Sequence, residues 1–177
     1  MRRVVVLRMG HRFFRDSRVT THVCLTARAM GANGAIITDG EDKEVEATVR
    51  DVVKRFGGSF EIESGKPWRR VVRDWKNVGG LVVHLTAYGL PLPKVVDEIR
   101  QSDRDILVVV GSEKMPGEVF SLADWNVSVT NQPMSEVAAL AVFLDWFNQH
   151  REFDLEFSDA EVQIIPSKDE KNIRHSN

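Results

Sequence analysis

Residues 105–144 read DILVVVGSEKMPGEVFSLADWNVSVTNQPMSEVAALAVFL, and this stretch decides the predicted fold. Ile106 to Val110 are an unbroken run of β-branched residues and leucine, which is typical of a strand buried on both faces. A Gly/Pro loop follows, then a short strand from Asn126 to Val129, a second polar loop and a long apolar helix begun by Ser135. Ligands of open α/β sheets bind beyond the carboxyl ends of the strands, so we expect the two loops to wall one pocket.

The chain before this stretch alternates strand patterns with helical patterns. Strands are predicted at 4–7, 35–38, 59–62 and 81–85. Helices are predicted at about 16–32, with Asp16 or Ser17 as the cap, at 45–56, from Pro67 onward and at 92–99. The loop Thr86 to Gly89 follows the fourth strand. This alternation predicts an α/β fold, with a mostly parallel sheet and helices on both faces.

The pattern changes after residue 150. Residues 153–157 and 161–165 alternate apolar and polar side chains, and Ser158-Asp159-Ala160 separates them. This predicts a half-exposed terminal β-hairpin whose apolar face needs cover, for example from a partner subunit, with a frayed tail from Lys168. We therefore expect one domain at 1–150 and a hairpin extension with a tail at 151–177.

Composition restricts the class of protein. The chain has 177 residues, 42% of them hydrophobic and 28% charged, as in ordinary globular domains. It contains no run as long as a membrane span and no signal-peptide pattern, so a cytoplasmic location is expected. The one cysteine, Cys24, lies in an apolar helical pattern and is expected to be a buried structural thiol.

Charge is distributed unevenly along the chain. The net charge of −2 argues against a general nucleic-acid binder, but residues 1–79 hold 16 Lys and Arg against 10 Asp and Glu. A basic half on an acidic protein suggests a local polyanion-binding face, and the alternative is a solvated surface of paired charges. Arginine predominates in these clusters, which favours phosphate recognition because guanidinium binds phosphate in a bidentate way.

Several common motifs are absent from the sequence. No GxGxxG follows the first strand, and there is no Walker loop, no zinc-ligand spacing and no GxSxG elbow. These absences exclude the commonest α/β enzymes. They leave the pocket made of the late loops as the place of the function.

The segment 12–22, RFFRDSRVTTH, joins the first strand to the first helix. It is therefore expected at the same edge of the sheet as the late loops. Arg18 and His22 are four residues apart and share a helix face. Such a cluster beside a pocket favours a functional role over a salt-bridged helix cap, although His22 taken alone could be a structural histidine.

Five motifs, taken together, resemble a known family. GSEKMP and NVSVTNQPMSEVAALAVFL resemble the S-adenosylmethionine-binding motifs of the SPOUT methyltransferases, an α/β class with a C-terminal trefoil knot. With LRMGHRFFRDSRVTTHV, GKPWRRVVRDWK and VVHLTAYG, they look like the archaeal tRNA (cytidine 56-2′-O)-methyltransferase family, a SpoU-like branch. The resemblance runs from Leu7 to about Asp145.

The resemblance implies a cofactor, partners and a binding site. The cofactor would be S-adenosyl-L-methionine, the substrate tRNA, and the assembly a homodimer whose active site lies at the subunit interface against the helix from Glu136 to Phe147. The residues expected to bind the cofactor are Leu85, Gly111, Ser112, Glu113, Lys114, Met115, Val129, Thr130, Asn131, Gln132, Pro133, Met134, Ser135 and Glu136.

The resemblance also implies catalytic roles. Its wider branch carries an Asn and a catalytic Arg in the first motif, where this chain has Arg18-Val19-Thr20-Thr21-His22. We expect Arg18 to orient the ribose and phosphate, with His22 as the alternative base. Glu113 would position the nucleotide or polarise the hydroxyl, or else pair with Lys114. For the branch's Asn-x-Ser element we prefer Asn131 and Ser135 to Asn126-Val127-Ser128.

The predicted function is methylation of the 2′-hydroxyl of cytidine 56 in the T-loop of tRNA. Phosphates would be held by Arg12, Arg15, Arg69, Arg70 and Arg73. The alternatives are a non-catalytic RNA-binding α/β protein, an α/β enzyme that uses another adenine nucleotide, and a SPOUT enzyme that acts on another tRNA or rRNA ribose.

Overall fold

The computed structural model describes residues 2–111 and 114–176. Six strands form one parallel sheet in the order β3-β2-β1-β5-β4-β6. The strands are β1 (Val4–Arg8), β2 (Gly34–Thr38), β3 (Glu61–Lys66), β4 (Leu81–Pro91), β5 (Ile106–Val110) and β6 (Trp125–Ser128). The helices are α1 (Ser17–Ala29), α2 (Lys43–Phe56), α3 (Trp68–Asn77), α4 (Leu92–Gln101), α5 (Gly117–Leu122) and α6 (Glu136–Asn148). The predicted α/β class with helices on both faces is confirmed.

Alternate residues of the central strands pack into two separate cores. In β1, Val4 and Val6 join the core beneath α1, α2, α4 and α6, whereas Val5 and Leu7 join the core beneath α3 and α5. β5 is buried along its whole length, which explains its unbroken apolar sequence. Cys24 lies in the first core, where burial raises the pKa of its thiol to about 12, as expected of a structural cysteine.

Three details of the sheet region differ from the predictions. The predicted loop Thr86 to Gly89 belongs to β4, where it is an irregularity between the pairs Leu85–Val127 and Leu90–Val127. The short helix α5 was missed inside the long polar stretch. Asp16 is the residue before α1, but its carboxylate makes no capping bond to that helix and binds Arg12 instead.

The predicted C-terminal hairpin was wrong in one of its strands. Residues 151–154 form a 3-10 helix, in which the N–H of Phe153 donates to the carbonyl of His150. The antiparallel hairpin instead pairs β7 (Val162–Ile165) with β8 (Asn172–His175), so the tail expected to be frayed supplies a strand. Among the described residues, no helix is long and apolar enough to cross a membrane.

Candidate active site

A cavity of about 180 Å³ opens at the carboxyl ends of β4, β5 and β6, between them and the start of α6. We call it the donor pocket. Its lining residues are Leu85, Thr86, Ala87, Val110, Gly111, Val127, Val129, Thr130, Gln132, Pro133, Met134, Glu136 and Ala139. The second late loop supplies much of this lining, and Gly111 is the one residue of the first late loop that lines the cavity in the part of the chain that the structure describes.

Close backbone packing at Gly89 shapes one wall of the donor pocket. A Cβ atom at Gly89 would lie 2.5 Å from the backbone of Val127, so only glycine lets the two chain segments touch. The amide of Asn131 donates to the carbonyls of Ala87 (2.8 Å) and Gly89 (3.1 Å). Asn131 thus ties the second late loop to the irregular part of β4, which makes it a residue that positions the pocket wall.

Most of the residues predicted to bind the cofactor lie in or beside the donor pocket. Lys114 is exposed outside it, and Met115 packs under Gly111 against the core of α3 and α5. Ser135 lies at the N-cap of α6, where its hydroxyl accepts from the N–H of Val137. Ser112 and Glu113 lie outside the described residues. Sequence reasoning missed the lining residues Thr86, Ala87, Val110, Val127 and Ala139, three of which lie within or next to predicted strands.

The arginine that the structure joins to the donor pocket is Arg8. Its side chain is only 1% exposed, and its Nη2 lies 3.2 Å from Oε1 of Glu136, a lining residue. Burial lowers the pKa of Arg8, and the carboxylate of Glu136 opposes that shift. Nη1 is buried with no hydrogen-bond partner among the described residues. Sequence reasoning missed this role, because an arginine that ends a strand resembles a surface residue.

A buried polar network continues from Arg8 toward α2. Nε of Arg8 donates to Oγ1 of Thr20 (3.3 Å), which lies 2.8 Å from Nδ1 of His11. Nε2 of His11 lies 2.9 Å from the carboxylate of Asp42. These hydrogen bonds are consistent with one another if the hydroxyl of Thr20 donates to Nδ1 of His11 and Nε2 carries the ring hydrogen. The network links Glu136, in the wall of the donor pocket, to the start of α2.

Asp42 anchors the far end of this network. Its Oδ1 accepts from the N–H of Val45 and caps α2, whereas the hydroxyl of Ser17 donates at 2.7 Å to Oδ2, the oxygen that contacts His11. Burial alone would raise the pKa of Asp42, but the hydrogen bonds from Val45, Ser17 and His11 outweigh burial and lower it. The carboxylate therefore stays ionised and holds the first segment of the chain against α2.

The structure does not bring Arg18 and His22 into the donor pocket of their own chain. Both are exposed on the first two turns of α1, and neither is among the described residues that line the pocket. The buried face of that helix is formed by Thr20, Val23 and Cys24. A catalytic role for Arg18 or His22 therefore requires the acceptor RNA or a second subunit to bridge the distance.

The five arginines predicted to bind RNA lie in two places, in the segment before α1 and on α3. Arg69 stacks over Trp68 and binds Glu118 of α5 at 2.7 Å. Arg70 and Arg73 are exposed on α3, each 3.5 Å from the carboxylate of Asp74. Arg12 binds Asp16 in the segment after β1, and Arg15 is exposed in the same segment. These groups form a cationic rim at the start of α1 and α3.

Asn126 has a structural role, which supports the preference for Asn131. Its carbonyl oxygen lies 2.9 Å from Nδ1 of His84, and its amide donates to the carbonyl of Phe120. Burial lowers the pKa of His84, which also packs edge-on against the ring of Phe120. These contacts lie within the sheet and α5, so Asn126 is not among the described residues that line the donor pocket, although its neighbour Val127 is.

The fold is similar to that of the SpoU methyltransferases. The SpoU methyltransferase AviRb from Streptomyces viridochromogenes, solved in complex with AdoMet, superposes with a TM-score of 0.59 at 16% identity. The match covers 85% of this chain and 58% of AviRb, so this chain is similar to only part of that protein. At this level of identity the likeness concerns the fold alone.

Sequence comparison then identifies the family. Residues 56–174 match the model of the family described as tRNA ribose 2′-O-methyltransferase, aTrm56. The tRNA (cytidine(56)-2′-O)-methyltransferase of Methanopyrus kandleri is 52% identical over 97% of this chain and 96% of its own length. The enzyme of the same name from Methanocaldococcus jannaschii is 53% identical over 95% of this chain and 94% of its own length. The chain belongs to this family, as the motifs predicted.

Proposed function

We propose that this chain transfers the methyl group of S-adenosyl-L-methionine to the 2′-hydroxyl of cytidine 56 in tRNA. The observation that carries the proposal is the donor pocket, which the family's late motifs line at the carboxyl edge of the sheet. Curated relatives about half identical over nearly their whole length are named for this reaction. The cationic rim provides a surface for the phosphates of the substrate.

The lining of the pocket suits the donor in polarity and charge. Gly111 lets the backbone approach the ligand where the strand passes into the loop. The rest of the wall is largely apolar, which suits an adenine ring, and the carboxylate of Glu136 adds a negative group near a cationic ligand. When bound, the donor supplies an electrophilic methyl group on a sulfonium.

The protein's own contribution to the reaction is orientation of the acceptor hydroxyl. A hydroxyl is a weak nucleophile unless its proton is removed or it is held in line with the methyl group. We assign to Arg18 the orientation of the ribose and adjacent phosphate, with His22 as the alternative base. Asn131 fixes the pocket wall through Ala87 and Gly89. Our proposal also keeps Glu113 as a residue that positions the nucleotide. This chemistry requires no metal.

The assembly in this proposal is a homodimer. Arg18 and His22 lie outside the pocket of their own chain, so a second subunit that brings them to the pocket would complete the site. The helix α6 exposes Val142 and Trp146, which supports its place at the interface. We further propose the trefoil knot, which the resemblance of the late motifs to the SPOUT class implies. Residues 1–150 would form the catalytic domain and residues 151–177 an extension. The enzyme would act on tRNA in the cytoplasm.

The activity is tested with purified protein, labelled S-adenosylmethionine and an unmodified tRNA transcript. A matched transcript carries 2′-deoxycytidine at position 56 and lacks only the acceptor oxygen. We expect label in the first transcript and none in the second. Equal labelling of both would reject cytidine 56 as the target, and absence of both label and donor binding would reject the methyltransferase assignment.

The proposed shared site is tested by complementation. Arg18→Ala leaves the donor pocket intact, and Ala87→Trp adds a bulky side chain to the pocket lining while leaving Arg18 intact. If the site combines residues of two subunits, each variant alone is inactive. In a mixed dimer, about half of the sites combine an intact pocket with an intact Arg18 and are active. Activity in the Arg18→Ala homodimer, or none in the mixture despite exchange of subunits, would contradict this arrangement.

A further inference from the structure

Two adjacent phenylalanines are exposed in the segment that follows β1. Phe14 is 83% exposed and Phe13 48% exposed, and their rings form an edge-to-face pair with centroids 4.2 Å apart. Phe14 also has a φ of 65°, a left-handed conformation that is unfavourable for a bulky side chain. Backbone strain of this kind clusters at functional sites, where the surrounding structure maintains it.

The segment that carries the pair is held in a closed conformation. The carboxylate of Asp16 accepts from the backbone N–H of Arg12 (3.0 Å) and from its Nε (2.9 Å). The N–H of Asp16 in turn donates to the carbonyl of Arg12, and that of Arg15 to the carbonyl of Phe13, each at 2.9 Å. The side-chain bond from Arg12 lowers the pKa of Asp16, so the carboxylate is ionised at neutral pH. The rings are therefore presented on a preorganised loop.

The position of this loop associates it with the donor pocket. The N–H of Met9 donates to the carbonyl of Val110, which lines the pocket, and Arg8 binds Glu136 in the pocket wall. The loop thus follows directly from residues that contact the site. Arg12 and Arg15 border the two rings on either side in the sequence.

We propose that Phe13 and Phe14 form a stacking site for an unpaired base of the tRNA beside the methylated nucleotide. The inference rests on the proposed function and names the part of the substrate that this loop would recognise. Exposed aromatic rings flanked by arginines are the usual means of binding unpaired bases, because every base has a π-face and the cations attract the backbone. Phe14, the more exposed ring, is the principal stacking residue.

The experiment compares two substitutions that differ in aromatic character. Phe14→Tyr keeps the π-face, and Phe14→Leu keeps an apolar side chain without one. Full-length proteins are titrated with tRNA transcripts that carry 2-aminopurine on either side of nucleotide 56, since stacking on an aromatic ring quenches this probe. We expect wild type and Phe14→Tyr to quench it, and Phe14→Leu to lose the quenching and to raise the Kd for tRNA by about 5- to 100-fold.

The matched control is Phe153→Leu, which changes another exposed phenylalanine, in the 3-10 helix after α6. It should leave tRNA affinity unchanged, and all variants should bind S-adenosylmethionine as wild type does. Equal tRNA binding by the leucine and tyrosine variants would overturn the stacking site. So would a lower oligomeric mass of Phe14→Leu, because the pair would then pack against a second copy. Quenching by a wild-type protein that fails to methylate the transcript would reject the proposed function and leave the stacking site standing.

Discussion

Arg8 and Glu136 form an ion pair that connects the end of β1 to the first turn of α6. The distance from Nη2 to Oε1 is 3.2 Å, and the arginine is almost fully buried whereas the glutamate is about a quarter exposed. The pair lies at the inner side of the donor pocket, and Thr20 accepts a further bond from the same guanidinium. It therefore fixes the helix that carries one wall of the pocket.

Replacement of Arg8 by methionine should weaken both folding and donor binding. The substitution leaves Glu136 and Thr20 without their cation, and removal of one partner of a largely buried pair costs about 3 kcal/mol. Urea unfolding and calorimetric titration with S-adenosylmethionine measure the two effects. Arg18→Met is the matched control, because Arg18 is exposed on α1, and it should change the free energy of unfolding by less than about 0.5 kcal/mol. Equal losses in the two variants would contradict the role of Arg8.

Gly89 should tolerate no side chain. A Cβ atom there would lie 2.5 Å from the backbone nitrogen and carbonyl carbon of Val127, which cannot move without breaking the β4–β6 pairing. We expect Gly89→Ala to lower the free energy of unfolding by about 3 kcal/mol or more and to weaken donor binding. Gly117→Ala is the control, because the space around that position is open. Thermal unfolding of both variants measures this loss of stability, and a Gly89→Ala protein as stable as wild type would refute the close packing.

The sequence was sufficient to predict the central strand β5 but not the burial of Arg8. The apolar run Ile106 to Val110 set the bounds of β5 correctly, because a strand buried on both faces has few alternatives. The burial of Arg8 depends on Glu136, far away along the chain, and no local pattern indicates it. No local pattern indicates the exposure of Phe14 either, because a phenylalanine in a loop is normally expected to pack inward.

The C-terminal error has a different physical cause. Residues 153–157 alternate in polarity over a span too short to separate a strand from a turn. In the structure, Gln149 and His150 adopt left-handed conformations that direct the chain into a 3-10 turn. Phe157 then packs against Gly58, where a Cβ atom would collide with its ring. Tertiary contacts, and not the local pattern, determined which segments pair.

Glu152 should make stability depend on pH in a direction opposite to that of most carboxylates. Burial and the neighbouring Asp145 raise the pKa of Glu152, and no hydrogen bond to its oxygens is present among the described residues. Glu152 makes its full contribution to the free energy of unfolding below the pKa of the unfolded state, about 4.3. This contribution is lost as the pH rises through the pKa of the folded state. Relative to wild type, Glu152→Gln should therefore gain stability as the pH rises from 4 to 8. Glu156→Gln, an exposed control, should show no such trend in urea unfolding at each pH.

Arg70 and Arg73 should contribute to tRNA binding through charge alone. Both are exposed on α3, and each lies 3.5 Å from Asp74, too loosely paired and too solvated to be fully neutralised. Each phosphate contact that is lost should reduce the slope of log K against log salt by about 0.7 to 0.9. Arg70→Ala and Arg73→Ala should therefore bind tRNA more weakly at low salt and approach wild type at high salt, with donor affinity unchanged. Lys54→Ala, which removes an exposed cation at the far end of α2, should keep the wild-type slope. An unchanged slope in both arginine variants would show that α3 does not contact the phosphates and would leave the segment after β1 as the cationic surface for RNA.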